Sequence, residues 1–161
     1  MRFDNEVHRE TFERVREYVD DLIDEPYLDQ ETGHLYGRFG STVLEISVDP
    51  YGPEEAVVRV MAYCVQGAQV DESLLEGLLE LNHSLPVGGF SVVGDDVFFS
   101  HSLFGRNLEP RNFLGTMAAV ATVADDYDDR IVAEYGGETA LERIQTTGGR
   151  KQRESRTAAD G

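Results

Sequence analysis

The chain of 161 residues has one lysine and one cysteine, and its basic residues are outnumbered by acidic ones. A lone cysteine, Cys64, excludes a disulfide within the chain and fits a reducing compartment. The sole lysine, Lys151, stands near the C-terminal end, so the remainder has no amine for Schiff-base or pyridoxal chemistry. A phosphate-binding P-loop is excluded too, because that motif needs Lys followed by Ser or Thr and Gln152 follows Lys151. No apolar run approaches the ~18 residues of a membrane span, and no basic-then-apolar signal pattern opens the chain. There is no G-x-S-x-G elbow, no H-E-x-x-H, and no two histidines at ligand spacing on one helix. The expectation is a cytoplasmic, non-enzymatic protein without cofactor or bound metal.

Positive charge is scarce and unevenly placed. The chain holds 31 acidic and 14 basic residues, a net of −17. Residues 1–144 carry 29 acidic and 10 basic groups, a net of −19, while 145–161 are slightly basic at +2. A body of this sign repels phosphate backbones, which excludes nucleic acid as its partner. Of the basic residues 13 are Arg, and the same lysine-poor, carboxylate-dense composition suits concentrated salt. At about 1 M salt the screening length falls to about 3 Å and self-repulsion is quenched. A halophilic cytoplasm accounts for this pattern; a GC-rich genome that writes Arg in place of Lys would give the same lysine count.

With 40% apolar residues, the chain can build a core. Phe12, Val15, Val19, Leu22 and Ile23 form the stripe of an amphipathic helix over 8–24, stopped by Pro26. A short strand over 34–39 and a half-buried strand over 42–49 follow, the latter alternating Leu44, Ile46 and Val48 with Glu45, Ser47 and Asp49. The strand over 56–65 is apolar on both sides, so something covers each of its faces. Asp71 caps a leucine-rich helix to about Asn82, and a hairpin over 90–103 turns at Gly94-Asp95-Asp96. Pro110 opens the strongest helical pattern: Phe113, Met117, Val120, Ala124, Tyr127 and Ile131, ending at Gly136-Gly137. Residues 138–145 add a further helical turn, and 146–161 are expected to form a disordered tail beyond a single domain over 1–145. The order α-β-β-β-α-β-β-α with short strand connections predicts an α+β fold on a five-stranded, mainly antiparallel sheet.

Three stretches carry a resemblance: LLELNHSLPVGGF at 78–90, SVVGDDVFFSHSL at 91–103 and LEPRNF at 108–113. With Asn82, Leu85-Pro86, Phe90, Asp95-Asp96, Pro110 and Asp126-Tyr127, they resemble the YbjN family, whose members share the fold of the class I type III secretion chaperones. The resemblance implies a homodimer that binds protein segments, chaperone-like or regulatory, with no enzymatic activity.

Individual residues divide between a buried and a functional reading. Cys64 sits on a strand face with Val60 and Ala62 and is expected to be buried and inert. The run Asp125–Asp129 lacks the glycine and terminal Glu of a calcium loop and is expected to be a solvated helix face. Leu74, Leu78 and Leu81 form one face of their helix. That leaves Leu75 and Leu79 on its flank, for the core or, with Met61 and Tyr63, for a dimer interface or peptide groove. A ligand or metal site at His83 and His101 is the alternative function. The salt reading predicts a thermal midpoint that climbs between about 0.1 and about 3 M salt; a flat melting series would contradict it.

Overall fold

A computed structural model describes residues 2–147. The expected disordered tail lies outside these residues, apart from positions 146 and 147, which close the last helix. The first helix, α1 (Glu6–Leu22), is capped by Asn5, whose side chain accepts the His8 N–H at 2.8 Å. That bond satisfies one of the donors a helix start leaves free. The imidazole of His8 is itself used: Nε2 lies 3.0 Å from the Val48 carbonyl and Nδ1 accepts the Asp4 N–H, which ties α1 to the sheet.

The sheet has seven strands rather than five: β1 (Tyr27–Leu28), β2 (Leu35–Phe39), β3 (Thr42–Pro50), β4 (Ala56–Gln66), β5 (Gly89–Val93), β6 (Asp96–Phe104) and β7 (Glu138–Thr139). Spatial order is β1-β2-β3-β4-β6-β5, with β7 beside the end of β4, and every pairing is antiparallel. The two additional strands are each two residues long and are held by their neighbours. Two residues are too short to display an alternation, so no pattern announces them. The remaining helices are α2 (Glu72–Ser84), α3 (Pro110–Tyr135) and α4 (Ala140–Thr147).

One face of the sheet carries the main core. Leu44, Ile46, Val58, Val60, Ala62 and Phe99 are all fully buried there beneath α1 and α3. The opposite face departs from expectation. The strand expected to be half-buried is buried continuously from Thr42 to Val48. Near one end α4 lies across this second face, with Ala140 packed on Val43 and Tyr63. Glu45, 3% exposed, is held on the same face by the Tyr63 hydroxyl, which donates at 2.8 Å, and by His34 Nδ1 at 2.9 Å. A carboxylate buried at this depth requires such partners.

Beneath α3, Cys64 is 1% exposed and within 3.5 Å of the Ala124 carbonyl; burial pushes its thiol up to about 12. In the acidic run on α3, Asp125, Asp126 and Asp129 are exposed as expected, and Asp128 is the exception. Asp128 is partly buried, and burial first, then the nearby Asp129, Asp125 and Glu142 carboxylates, push it up to about 6; the Asp129 N–H, donating at 2.6 Å, opposes them. The native state therefore holds this proton more tightly than the unfolded chain does. The stability it contributes is complete below the unfolded value near 4 and is lost as pH rises through about 6. Asp128→Asn is thus expected to raise the urea midpoint at pH 8 and to lose about half of that advantage at pH 5. An equal gain at both pH values would show that Asp128 does not titrate in this way.

Candidate functional site

The surface of interest is built on α2. Asp71 accepts the Leu74 N–H at 3.0 Å and starts the helix where the sequence places it. Helical spacing then turns Leu74 and Leu78 into the core, at 2% and 5% exposure, while Leu75 and Leu79 remain 43% and 68% exposed. Leu81 is partly buried against the same core.

Besides its buried leucines and the Ser73–Tyr135 hydroxyl pair, α2 is held by Asn82. Its side-chain carbonyl accepts the Phe90 N–H at 2.6 Å and its side-chain NH2 donates to the Phe90 carbonyl at 3.1 Å. Strand β5 is the edge of the sheet, so these two backbone groups face outward with no strand beside them. The Asn82 amide takes the place of that missing strand at one residue and fastens α2 to the edge. The ring of Phe90 is buried beside it, edge-on to Phe99 and to Tyr127 of α3.

Between α2 and α3 runs a groove of about 340 Å³. Leu74, Leu78 and Ile131 form its floor, with Leu81, Tyr127 and Tyr135 along the walls. Glu80, Glu134 and Arg130 stand at the rim, the Arg130 guanidinium lying over the Tyr127 ring at 5.1 Å from its centre. The lining is apolar with a few polar groups, the composition of a binding cleft.

The four residues expected to share an interface do not meet. Met61 and Tyr63 project from the sheet face opposite Val60 and Ala62, whereas α2 packs on the core side. Tyr63 is 4% exposed, and α4 of the same chain is what covers it. The two-sided apolar character of β4 thus has an internal cause at this position. Leu75 and Leu79 remain together and open to solvent. The histidines are dispersed: His83 is exposed at the end of α2, while His101 Nδ1 accepts the Gly88 N–H at 3.1 Å. Among the described residues no group of three or more His, Cys, Asp or Glu is placed to hold a metal ion. Among them, too, no helix is long and apolar enough to cross a membrane.

Residues 10–143 match the family model described as the T3SS (YopN, CesT) and YbjN peptide-binding chaperone 1. The chain belongs to this family. Its fold is shared with solved structures at low identity. The ExsC–ExsE complex matches over 77% of this chain and 95% of that one, with TM-score 0.61 and 15% identity. The HopA1–SchA chaperone–effector complex covers 75% and 96%, at TM-score 0.57 and 12% identity. YbjN from E. coli covers 74% and 92%, at TM-score 0.53 and 15% identity. No curated protein sequence matches the chain. The family resemblance read from the sequence and the α+β fold are therefore both established.

The part played by Asn82 in this peptide-binding chaperone fold was not legible as a role. The visible signal was its position, in the last turn of a leucine-rich helix just before a Leu-Pro turn and an edge strand. Asn82→Ala leaves both Phe90 groups without their partner and is expected to cost about 1–3 kcal/mol in chemical denaturation. Asn82→Asp keeps the acceptor but loses the donor and should fall between the two; stability equal to the original protein in both variants would refute the edge-clamp role.

Proposed function

We propose that the protein is a non-enzymatic, cytoplasmic homodimer that binds segments of another protein, chaperone-like or regulatory in role. Family membership supports the peptide-binding part, and the likeness to a chaperone–effector complex supports a protein client. The observation that carries the dimer is the pair Leu75 and Leu79, one turn apart and exposed on the flank of α2. Two leucines side by side at such exposure lose little by being solvated singly but gain by meeting their own copies across a twofold axis. Since α2 is clamped to the sheet edge by Asn82, the flank is presented rigidly.

The surroundings of that flank are acidic. Glu72 and Glu76 are exposed beside them on the same helix, so two copies approach with like charges beside the apolar contact. Salt therefore favours this association, as it shortens the range of the repulsion and leaves the apolar contact in place. The alternative ligand or metal site at His83 and His101 has no comparable support, because Nδ1 of His101 is already engaged by Gly88.

Light scattering during chromatography at tens of micromolar protein should show a dimer whose dissociation constant falls with added salt. Replacing both leucines, Leu75→Glu with Leu79→Glu, should weaken association by at least about 10-fold without altering the circular dichroism spectrum. A monomer in the original protein at high salt would overturn the dimer. Suppression of aggregation of a chemically denatured test protein reads the client-binding part separately, and its absence would overturn that part.

A further inference from the structure

We infer that the groove between α2 and α3 is the docking site for a basic, amphipathic helical segment of a partner protein; this deepens the peptide-binding proposal and rests on it. Three observations converge on the groove. The first is Gly77, in the interior of α2 and on the groove lining. Glycine is the least favourable helix-interior residue after proline. A Cβ built at Gly77 meets nothing within 4 Å, so no neighbour in this chain requires its absence. Its missing side chain leaves the helix backbone open at the groove, where an incoming segment can come close.

The second observation is length and lining. The groove runs from Leu74 to Ser84 along α2 and from Tyr127 to Tyr135 along α3. At about 1.5 Å per helical residue this is about 12–15 Å, room for two to three turns of a third helix. Its floor residues belong to the core and cannot move aside, so the incoming segment must supply the apolar side chains that fill the space.

The third is charge. Glu80 and Glu134 at the rim have no ion-pair partner among the described residues, and Arg130 is turned over the Tyr127 ring. Residues 1–144 add a net of −19 around them. A segment carrying Lys or Arg beside its apolar anchors matches both. The chain's own C-terminal residues are basic, but from Gly148 onward they contain no apolar residue larger than alanine, so they cannot fill the floor. A second copy would bring carboxylates to the rim. Helical spacing places Gly77 and Glu80 on the flank of α2 away from Leu75 and Leu79, so a client and a dimer partner engage different sides of one helix.

The test uses the full chain and two fluorescein-labelled helical peptides, one of Leu and Lys and one of Leu and Glu in the same i, i+3, i+4 pattern. Anisotropy titrations are run at the lowest salt that keeps the native circular dichroism spectrum. The basic peptide should bind at least about 10-fold more tightly than the acidic one. Gly77→Leu fills the groove and should weaken basic-peptide binding at least about 10-fold while melting at the same temperature or higher, since leucine is the better helix former. Charge reversal at the rim, Glu80→Lys with Glu134→Lys, should shift the preference toward the acidic peptide. Equal binding to the original chain and to Gly77→Leu would overturn the groove as the site yet leave the peptide-binding proposal standing. Failure of the basic peptide to bind the original chain would overturn the inference, and the aggregation assay then decides the wider proposal by itself.

Discussion

The second half of strand β4 must be covered on both faces, and much of the architecture answers that requirement. β4 is the longest strand, paired with β3 on one side and β6 on the other, and from Ala62 to Gln66 every side chain is buried. On the core side α1 and α3 provide the cover. On the other side the chain has no large helix left after α3, so α4, reached through the two residues of β7, closes over Val43 and Tyr63. The irregular register between Tyr63 and Val65 falls where this change of cover occurs. A bulge there re-aims the strand so that consecutive side chains can both be buried, which a regular strand covered on one face cannot achieve.

Burial of Glu45 follows from the same constraint. Once α4 and Tyr63 close the second face, a residue that alternation assigns to solvent is sealed in; the Tyr63 hydroxyl donates to it and His34 Nδ1 lies 2.9 Å away. At the far edge of the sheet the problem is reversed, since β5 has an outward-facing backbone and no strand to meet it. Asn82 resolves it with a side chain in place of a strand. That choice leaves the edge occupied at Phe90 and sets the azimuth of α2. Leu74 and Leu78 therefore face inward, Leu75 and Leu79 one way, and Gly77 and Glu80 the other.

These two solutions differ in how visible they are in sequence. Long elements declared themselves through periodicity: the stripe from Phe113 to Ile131, the alternation from Leu44 to Val48, and the Asp71 cap all lie where the pattern puts them. The family resemblance was legible because it rests on several motifs across the hairpin and its flanking helices. Two-residue strands were not, since β1 and β7 exist only through their neighbours' registers. Neither was the fate of Glu45 or Tyr63, because period-two reasoning assumes that one sheet face meets water, and the eight-residue helix α4 removed that assumption. Met61 and Tyr63 could be assigned to an apolar face from sequence, but what covers that face is a tertiary fact. Gly77 carried a signal that could have been used: a glycine inside a leucine-rich helix has a conformational cost that calls for a reason.

The charge of the chain ties its two open surfaces to its solvent. In dilute buffer a body of −19 repels a second copy at long range and attracts any basic segment wherever it lands. At about 1 M salt, with a screening length near 3 Å, both long-range effects vanish and only groups in contact count. The proposed contact between Leu75 and Leu79 of two copies would then lose its electrostatic opponent. A basic client of the kind proposed would, in turn, no longer be held by the general field and would need carboxylates within contact distance of its own cations. Glu80 and Glu134, standing at the rim of an apolar groove, are placed for that role. The same salt that would relieve crowding of carboxylates in the folded chain would thus convert a diffuse attraction for basic chains into recognition at one site.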